Sequence, residues 1–415
     1  MEQTSIQPTM TIWEITERHP ETIQVLVDSG FPKMRDPEKR KVQGRALTLE
    51  AAAKLRQLDL RALLDRLSAV ARRAATDDVT LADSGTTLLP KEKADVRISG
   101  LLPCPVRIPI LETVQSLATR LRADGGPTLS WSLSAASVGA DQLNREIARV
   151  KDEDDLPEVF ISAGFESFFD QTNLRRFKDR GVFVDATVQG TAQNPCFGEL
   201  DLRDPDGHFT LLGVVPAVLL VNHNLLDGDP APRTWQDLLH PRYEQRVALP
   251  VGDFDLFNGI LLNLYRLFGD DGVRALARNM LVSLHPSQTV GRFSQKAQRQ
   301  PAISVVPYFF SKMTMKSKVL RTVWPEDGAI ISPIFMLLRR RALPTAEPVA
   351  RLFLGREVGE VLAHRGLFPV LNPEVDNRLP EGACFHWLGW PFIREHDLGQ
   401  LIPELGRLFQ EAAHG

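Results

Sequence analysis

Two long apolar runs, each with a proline inside, constrain this chain more than anything else in it. The first is 211–222, with Pro216 near its middle; the second is 328–338, with Pro333. Runs this apolar belong in an interior. Proline lacks the amide hydrogen that a central strand donates to its neighbour, so neither run suits an uninterrupted central strand. A strand that leaves one sheet and enters another tolerates it. The runs therefore read as crossings between two lobes, outward at 211–222 and back at 328–338.

Around these crossings, strands alternate with helices. Before the first crossing, strands are expected at 96–101, 128–133, 159–161 and 181–184, with helices from about 109 to 123 and over 141–150. Between the crossings, strands are expected at 247–250, 302–306 and 320–324. Helices are expected at 257–268 (ended by Gly269), 273–280 and 290–298. After the second crossing come one helix over 349–365 and an amphipathic C-terminal helix. This alternation implies βαβ units and a mainly parallel sheet, hence an α/β class. The run Val159-Phe160-Ile161 followed by Ser162-Ala163-Gly164 reads as strand and tight turn. Ser162 is the expected N-cap of a helix that Glu166 and Asp170 favour in its first turns.

The start of the chain is different in kind. Thr11 and Glu14 form a capping box before Ile12, Ile15, Ile23, Leu26 and Val27 at helical spacing. Gly30 ends that helix, Thr48 caps a second, and Leu60, Leu63, Leu64 and Leu67 lie on one face of a third. The expected division is a small all-α domain at 1–72 and a polar linker at 73–95. Lobe one then takes 96–215 with 330–415, and lobe two takes 216–329.

Composition removes several functions. The net charge of −3 gives no footing for a nucleic-acid partner. No apolar run is long enough for a membrane span. The first residues, Met1-Glu2-Gln3-Thr4-Ser5, lack a basic and apolar leader, so a cytoplasmic location is expected. Cys104, Cys196 and Cys384 are far apart and form no CxxC pair, which suits a reducing compartment and indicates no zinc site. His208, His223, His240 and His285 have no metal-ligand spacing. GxGxxG, P-loop and G-x-S-x-G motifs are absent, so no residue is nominated as catalytic and no cofactor is indicated. Arg339-Arg340-Arg341 reads as a solvated strand end.

Two resemblances add to this reading. "MTIWEITERHPETIQVLVDSGFP" with "TLEAAAKLRQLDLRALLDRL" resembles the small helical domain of unknown function DUF1858. That family often carries a cysteine pair after the first helix; here Phe31-Pro32-Lys33-Met34 stands there, which points to docking or regulation rather than redox chemistry. "LPEVFISAGFESFFD", "GVVPAVLLVNHNLL", "PRTWQDLLHPRYEQRVALP" and "EDGAIISPIFMLLRR" resemble the type-2 periplasmic-binding-protein superfamily, in particular the substrate-binding proteins of iron(III)-type ABC transporters. The resemblance implies a two-lobed fold that holds a small-molecule ligand in its cleft, over roughly 95–410. Iron-binding members use tyrosines, often adjacent; the lone Tyr308 argues against a phenolate-iron site.

The implied cleft lies at the ends of the lobe strands. Its candidates are Ser99, Gly100, Cys104, Arg107, Ser162, Ala163, Gly164 and Phe165 from lobe one, and Asp253, Phe254, Asn258 and Tyr308 from lobe two. Small residues and helix starts suit an anion, and Arg107 could fork onto a carboxylate or phosphate. A plain βα turn and a surface arginine are the structural alternatives. The expected function is a cytoplasmic solute-binding-like sensor or carrier for a small anionic ligand or metal complex, with the N-terminal domain as a possible protein-docking module. An enzyme of lyase or dehydratase type on the same fold is one alternative. A metal or metallocluster carrier using Cys104 and Cys196 is another.

Overall fold

The computed structural model describes residues 93–414, apart from 136–142, 144–145, 166–167, 170–173, 252–253, 284–299, 315–316 and 318, together with part of 8–67. The chain divides into two compact units, 1–86 and 87–415.

In the first unit, helices α1 (Ile12–Arg18) and α2 (Leu49–Leu55) begin where their caps place them. The Glu14 amide donates to Thr11 Oγ1 at 3.1 Å, and the Thr11 amide donates to Glu14 Oε2 at 2.8 Å. The Ala51 amide donates to Thr48 Oγ1 at 3.2 Å. Two of the four amides orphaned at a helix start are thus satisfied at α1. Ile12, Ile15, Leu26, Leu49, Leu63 and Leu67 form one core. Phe31 and Met34 belong to it, at 5% and 3% exposed, so apolar packing occupies the segment where the related domains often carry cysteines.

The second unit opens with β1 (Val96–Leu102), α3 (Cys104–Ala123), β2 (Leu129–Ala135), β3 (Val159–Ala163), α4 (Arg175–Lys178) and β4 (Phe183–Val184). The outward crossing is β5 (Phe209–Asn222). Then come α5 (Trp235–Leu238), β6 (Val247–Leu249), α6 (Phe254–Asn279), β7 (Met280–Ser283), β8 (Ile303–Pro307) and β9 (Leu320–Val323). The return crossing is β10 (Ala329–Arg339), followed by α7 (Leu343–Leu354), α8 (Arg356–Glu360), β11 (Phe385–His386), α9 (Trp390–Glu395) and α10 (Leu398–His414). The hydrogen-bonded order is β2-β1-β3-β10-β5-β8-β6-β7. The β1 pairs with β2 and β3 are parallel, as are the β6 pairs with β7 and β8; β5 and β10 run antiparallel to their neighbours in that order. This is a two-lobed α/β fold with two crossover strands.

Both prolines sit where a crossing strand changes partners. β5 pairs with β10 from Phe209 to Ala217 and with β8 from Ala217 to Val221. Pro216 is the last residue before the second partner begins, so its missing amide hydrogen leaves no gap in the β8 ladder. Pairing of β10 with β3 starts at Ile334, one residue after Pro333, whose carbonyl accepts the Gly164 amide at 2.9 Å. Trp235 ties α5 to the start of the return crossing. It is fully buried, and its indole donates to the Gly328 carbonyl at 2.8 Å while its amide donates to the Asp327 carboxylate. Thr234 and Asp237 complete a reciprocal capping box on α5.

Several expectations change. Ser162 is not an N-cap: it lies inside β3, opposite Phe335, and bends at Gly164 and Phe165 follow. The next described helix is α4, while Glu166 and Asp170 lie outside the described residues. α3 begins at Cys104, five residues earlier than 109, because Pro105 falls in the first turn, where an amide hydrogen has no partner to lose. The helix expected at 349–365 is broken at Gly355, and its last turn, Val361–Arg365, is a π-helix. Gly269, at φ 63° and ψ −160°, interrupts α6, and Met280 begins β7 rather than ending a helix. The helix expected at 290–298 lies outside the described residues. Arg339 is 4% exposed rather than solvated, and is paired with Glu158 and Asp154.

Candidate functional site

Two of the contacts between the segment 216–329 and the rest of the second unit lie near the cleft candidates. At the first, α6 of lobe two lies against lobe one. A Cβ on Gly259 would stand 2.2 Å from Ser332 Oγ of β10 and 3.7 Å from the Phe165 ring, so a larger residue there would force the Ser332 hydroxyl to turn away. At the second, Lys312, in the short 3₁₀ segment after β8, reaches into lobe one. Its Nζ donates to the His364 carbonyl at 2.8 Å and to the Arg365 carbonyl at 3.1 Å, at the end of the π-helical turn. Burial pushes the Lys312 ammonium below its ordinary range. The next residue, Gly366, packs on the start of α3: a Cβ there would be 2.8 Å from Val106 Cγ1.

Arg107 follows Val106 at this junction. It is 8% exposed, and among the described residues it donates no hydrogen bond and forms no ion pair. A guanidinium carries five donors and cannot shed its proton, so one held without a counter-charge has donors to offer an incoming acceptor. Among the described residues, the fully enclosed side-chain atoms without a partner are His208 Nδ1, Asn263 Oδ1, Arg339 Nε and the indole nitrogens of Trp387 and Trp390. The Arg107 nitrogens are not among them, so its tip opens onto space. The arrangement suits a group that brings its own negative charge.

The other sequence candidates fall into three sets. Ser99, Ser162, Ala163 and Asn258 are all buried, at 0%, 3%, 5% and 6% exposed. Gly100 and Gly164 are backbone devices: a Cβ on Gly100 would meet the Ile161 carbonyl oxygen at 2.0 Å, and Gly164 has φ 87°. Phe165 is 1% exposed and stacks on Trp387 at 5.7 Å, within a cluster that also holds Phe169, Phe209 and Trp390. Asp253 lies outside the described residues, as do the side chains of Cys104 and Phe254.

Cys196 and Tyr308 do not meet. The Cys196 thiol accepts the Asn377 amide at 3.1 Å, and burial pushes it up to about 11, which makes it a poor thiolate ligand. Tyr308 packs edge-on against Trp324 at 5.1 Å, and burial raises its phenol too. Phe197, beside Cys196, reaches Trp324 only through Phe385. The other tyrosines are elsewhere: Tyr243 donates to the Pro230 carbonyl at 2.6 Å, and Tyr265 packs on Phe392. Among the described residues, no three His, Cys, Asp or Glu side chains gather to hold a metal ion.

Gly259, Ser332, Lys312 and the 364–365 carbonyls escaped the sequence reading. A glycine inside a helix was the available signal for Gly259. Lys312 offered none, since its partners are backbone oxygens about fifty residues away in sequence.

His208, at the entry to β5, gives a pH test. Burial holds its imidazole below the ordinary 6.5, against the opposing pull of Asp204 and Asp206, while Lys178 and Arg340 add to the lowering. The unfolded ring takes a proton that the folded ring resists, so its contribution is complete above pH 6.5 and is lost as the pH falls through the lower folded value. Melting temperature should fall with acidification below 6.5, and His208→Phe should flatten part of that fall. An unchanged slope in the variant would contradict the assignment.

Two lobes joined by two crossing strands define a binding-protein fold. The chain belongs to the bacterial extracellular solute-binding protein family, whose model matches residues 154–396. The domain of unknown function DUF1858 matches residues 6–64. No curated protein matches the chain by sequence. Among solved structures, it is similar to apo ferric ion-binding protein A of Pasteurella haemolytica, with a TM-score of 0.53 and 12% identity over 76% of this chain and 97% of that one. It is also similar to a substrate binding protein of an ABC transporter from Agrobacterium tumefaciens, at 0.52 and 14% over 78% and 96%. The ferric binding protein from Campylobacter jejuni gives 0.51 and 12% over 76% and 99%. Identities this low speak for the fold alone.

Proposed function

We propose that the protein binds a small anionic solute, carboxylate or phosphate in kind, between its lobes, with Arg107 as the cationic contact. The observation that carries this is Arg107, a residue 8% exposed whose guanidinium has no described partner and opens onto space. A bare ferric ion is disfavoured, because the three tyrosines face separate neighbours and burial raises two of the phenols. The Lys312 contact with the 364–365 carbonyls is the closed position of the two lobes, and closure is the event a partner reads. The role is that of a carrier or sensor in the cytoplasm, with the N-terminal domain as the docking module; the free thiols of Cys196 and Cys384 suit that compartment.

The test is a thermal-shift screen of carboxylates, phosphate esters and ferric citrate. An anion at a hundred times its Kd stabilises by about 2.7 kcal/mol through mass action. Stabilisation by ferric citrate alone would overturn the anionic reading, and so would no stabilisation by any compound. Lys312→Ala removes two hydrogen bonds that exist only when the lobes meet. It should weaken binding of the stabilising anion roughly fivefold, equivalent to about 1 kcal/mol. Unchanged affinity in this variant would remove Lys312 from the closing contact.

A further inference from the structure

Lobe one holds a second cavity of about 250 Å³, and none of the cleft candidates lines it. Its inner wall is apolar: Leu211 of β5, Phe353 of α7 and Val370 are 4%, 2% and 1% exposed, with Leu371 beside them. Val188 also lines it and is 72% exposed, so the cavity opens to solvent there.

Several polar groups on the wall are already engaged. Asn372 donates to the Leu354 carbonyl at 2.8 Å and accepts the Glu374 amide at 2.8 Å. Asp185 accepts the Thr187 amide at 2.8 Å, and Arg356 is bound to Glu360 at 2.7 Å. The charges lining the cavity balance, with Asp185 and Glu374 against Arg203 and Arg356. A charged occupant would gain no unmatched partner there, whereas an apolar one would cover side chains that water serves poorly. An apolar cavity of roughly 150 Å³ is enough to take benzene, so this one has room for a fused pair of rings.

We infer that this cavity is a second binding site, for an uncharged aromatic molecule of two-ring size. It is independent of the anion cleft. The probe is 2-naphthol, followed by saturation-transfer NMR on the full chain, with 2-naphthoate as the charged control. Saturable binding of 2-naphthol, at least about tenfold tighter than that of the naphthoate, is expected. Ala192→Trp and Val188→Trp place an indole at the mouth from exposed positions, and each should lower 2-naphthol affinity by roughly tenfold or more with an unchanged melting temperature. Arg107→Met, which alters the cleft, should leave 2-naphthol binding as it was. The inference is overturned if the wild type shows no saturable binding, if naphthoate binds as well as naphthol, or if both mouth variants bind like the wild type.

Discussion

Replacing Arg107 with Met should make the ligand-free protein more stable and the protein unable to hold its anion. Arg107 is 8% exposed and lacks a described counter-charge, so its stem is packed while its charged tip goes unmatched until a ligand arrives. Met keeps the length of the side chain and removes the charge. A gain of up to about 1 kcal/mol in the ligand-free state is expected, seen as a small rise in melting temperature. A stabilising change that abolishes binding is the mark of a residue held for function. A fall in melting temperature would instead assign Arg107 to the packing of lobe one.

The second large effect lies at the opposite end of β3. Glu158 accepts the Arg97 amide at 2.8 Å, the Arg97 guanidinium at 2.9 and 3.0 Å, and Arg339 Nη1 at 2.8 Å. Arg339 is 4% exposed, and Glu158, half-buried, is the more enclosed of its two counter-ions; Asp154, the other, is 70% exposed. Burial pulls the Arg339 guanidinium below its ordinary range, and Glu158 opposes that pull. Glu158→Gln keeps the shape and deletes the charge. It should cost about 3 kcal/mol, because an arginine is then left buried with only an exposed partner. Adding Arg339→Met removes the stranded charge, so the double variant should unfold at a higher denaturant concentration than Glu158→Gln alone. Additive losses in the double variant would show that the network is not coupled in this way.

Much of the architecture was legible because its signals are local. A proline within an apolar run limits a strand's partners, and Pro216 and Pro333 do sit where partners change. Thr11 with Glu14 and Thr234 with Asp237 mark helix starts by side-chain geometry that needs no tertiary contact. Ser162 was misread because a serine before a small-residue turn looks the same whether it caps a helix or ends a strand; pairing with Phe335 decides it. Arg339 looked solvated because neighbouring arginines suggest a surface, whereas its burial depends on Glu158, nearly two hundred residues away in sequence. Gly355 and the π-helical turn were hidden within one continuous helical periodicity. The site itself was half legible. Arg107 could be nominated by its place after a strand, but that it meets no counter-charge among the described residues appears only in the folded chain.

The most direct test is calorimetric titration of the wild type and of Arg107→Met with one carboxylate or phosphate ester that raises the wild-type melting temperature. Losing a buried charged contact to a ligand costs at least about 2 kcal/mol, so the variant should bind roughly thirtyfold more weakly or not at all while remaining folded. Equal affinity in the two proteins would contradict the anion cleft built on Arg107.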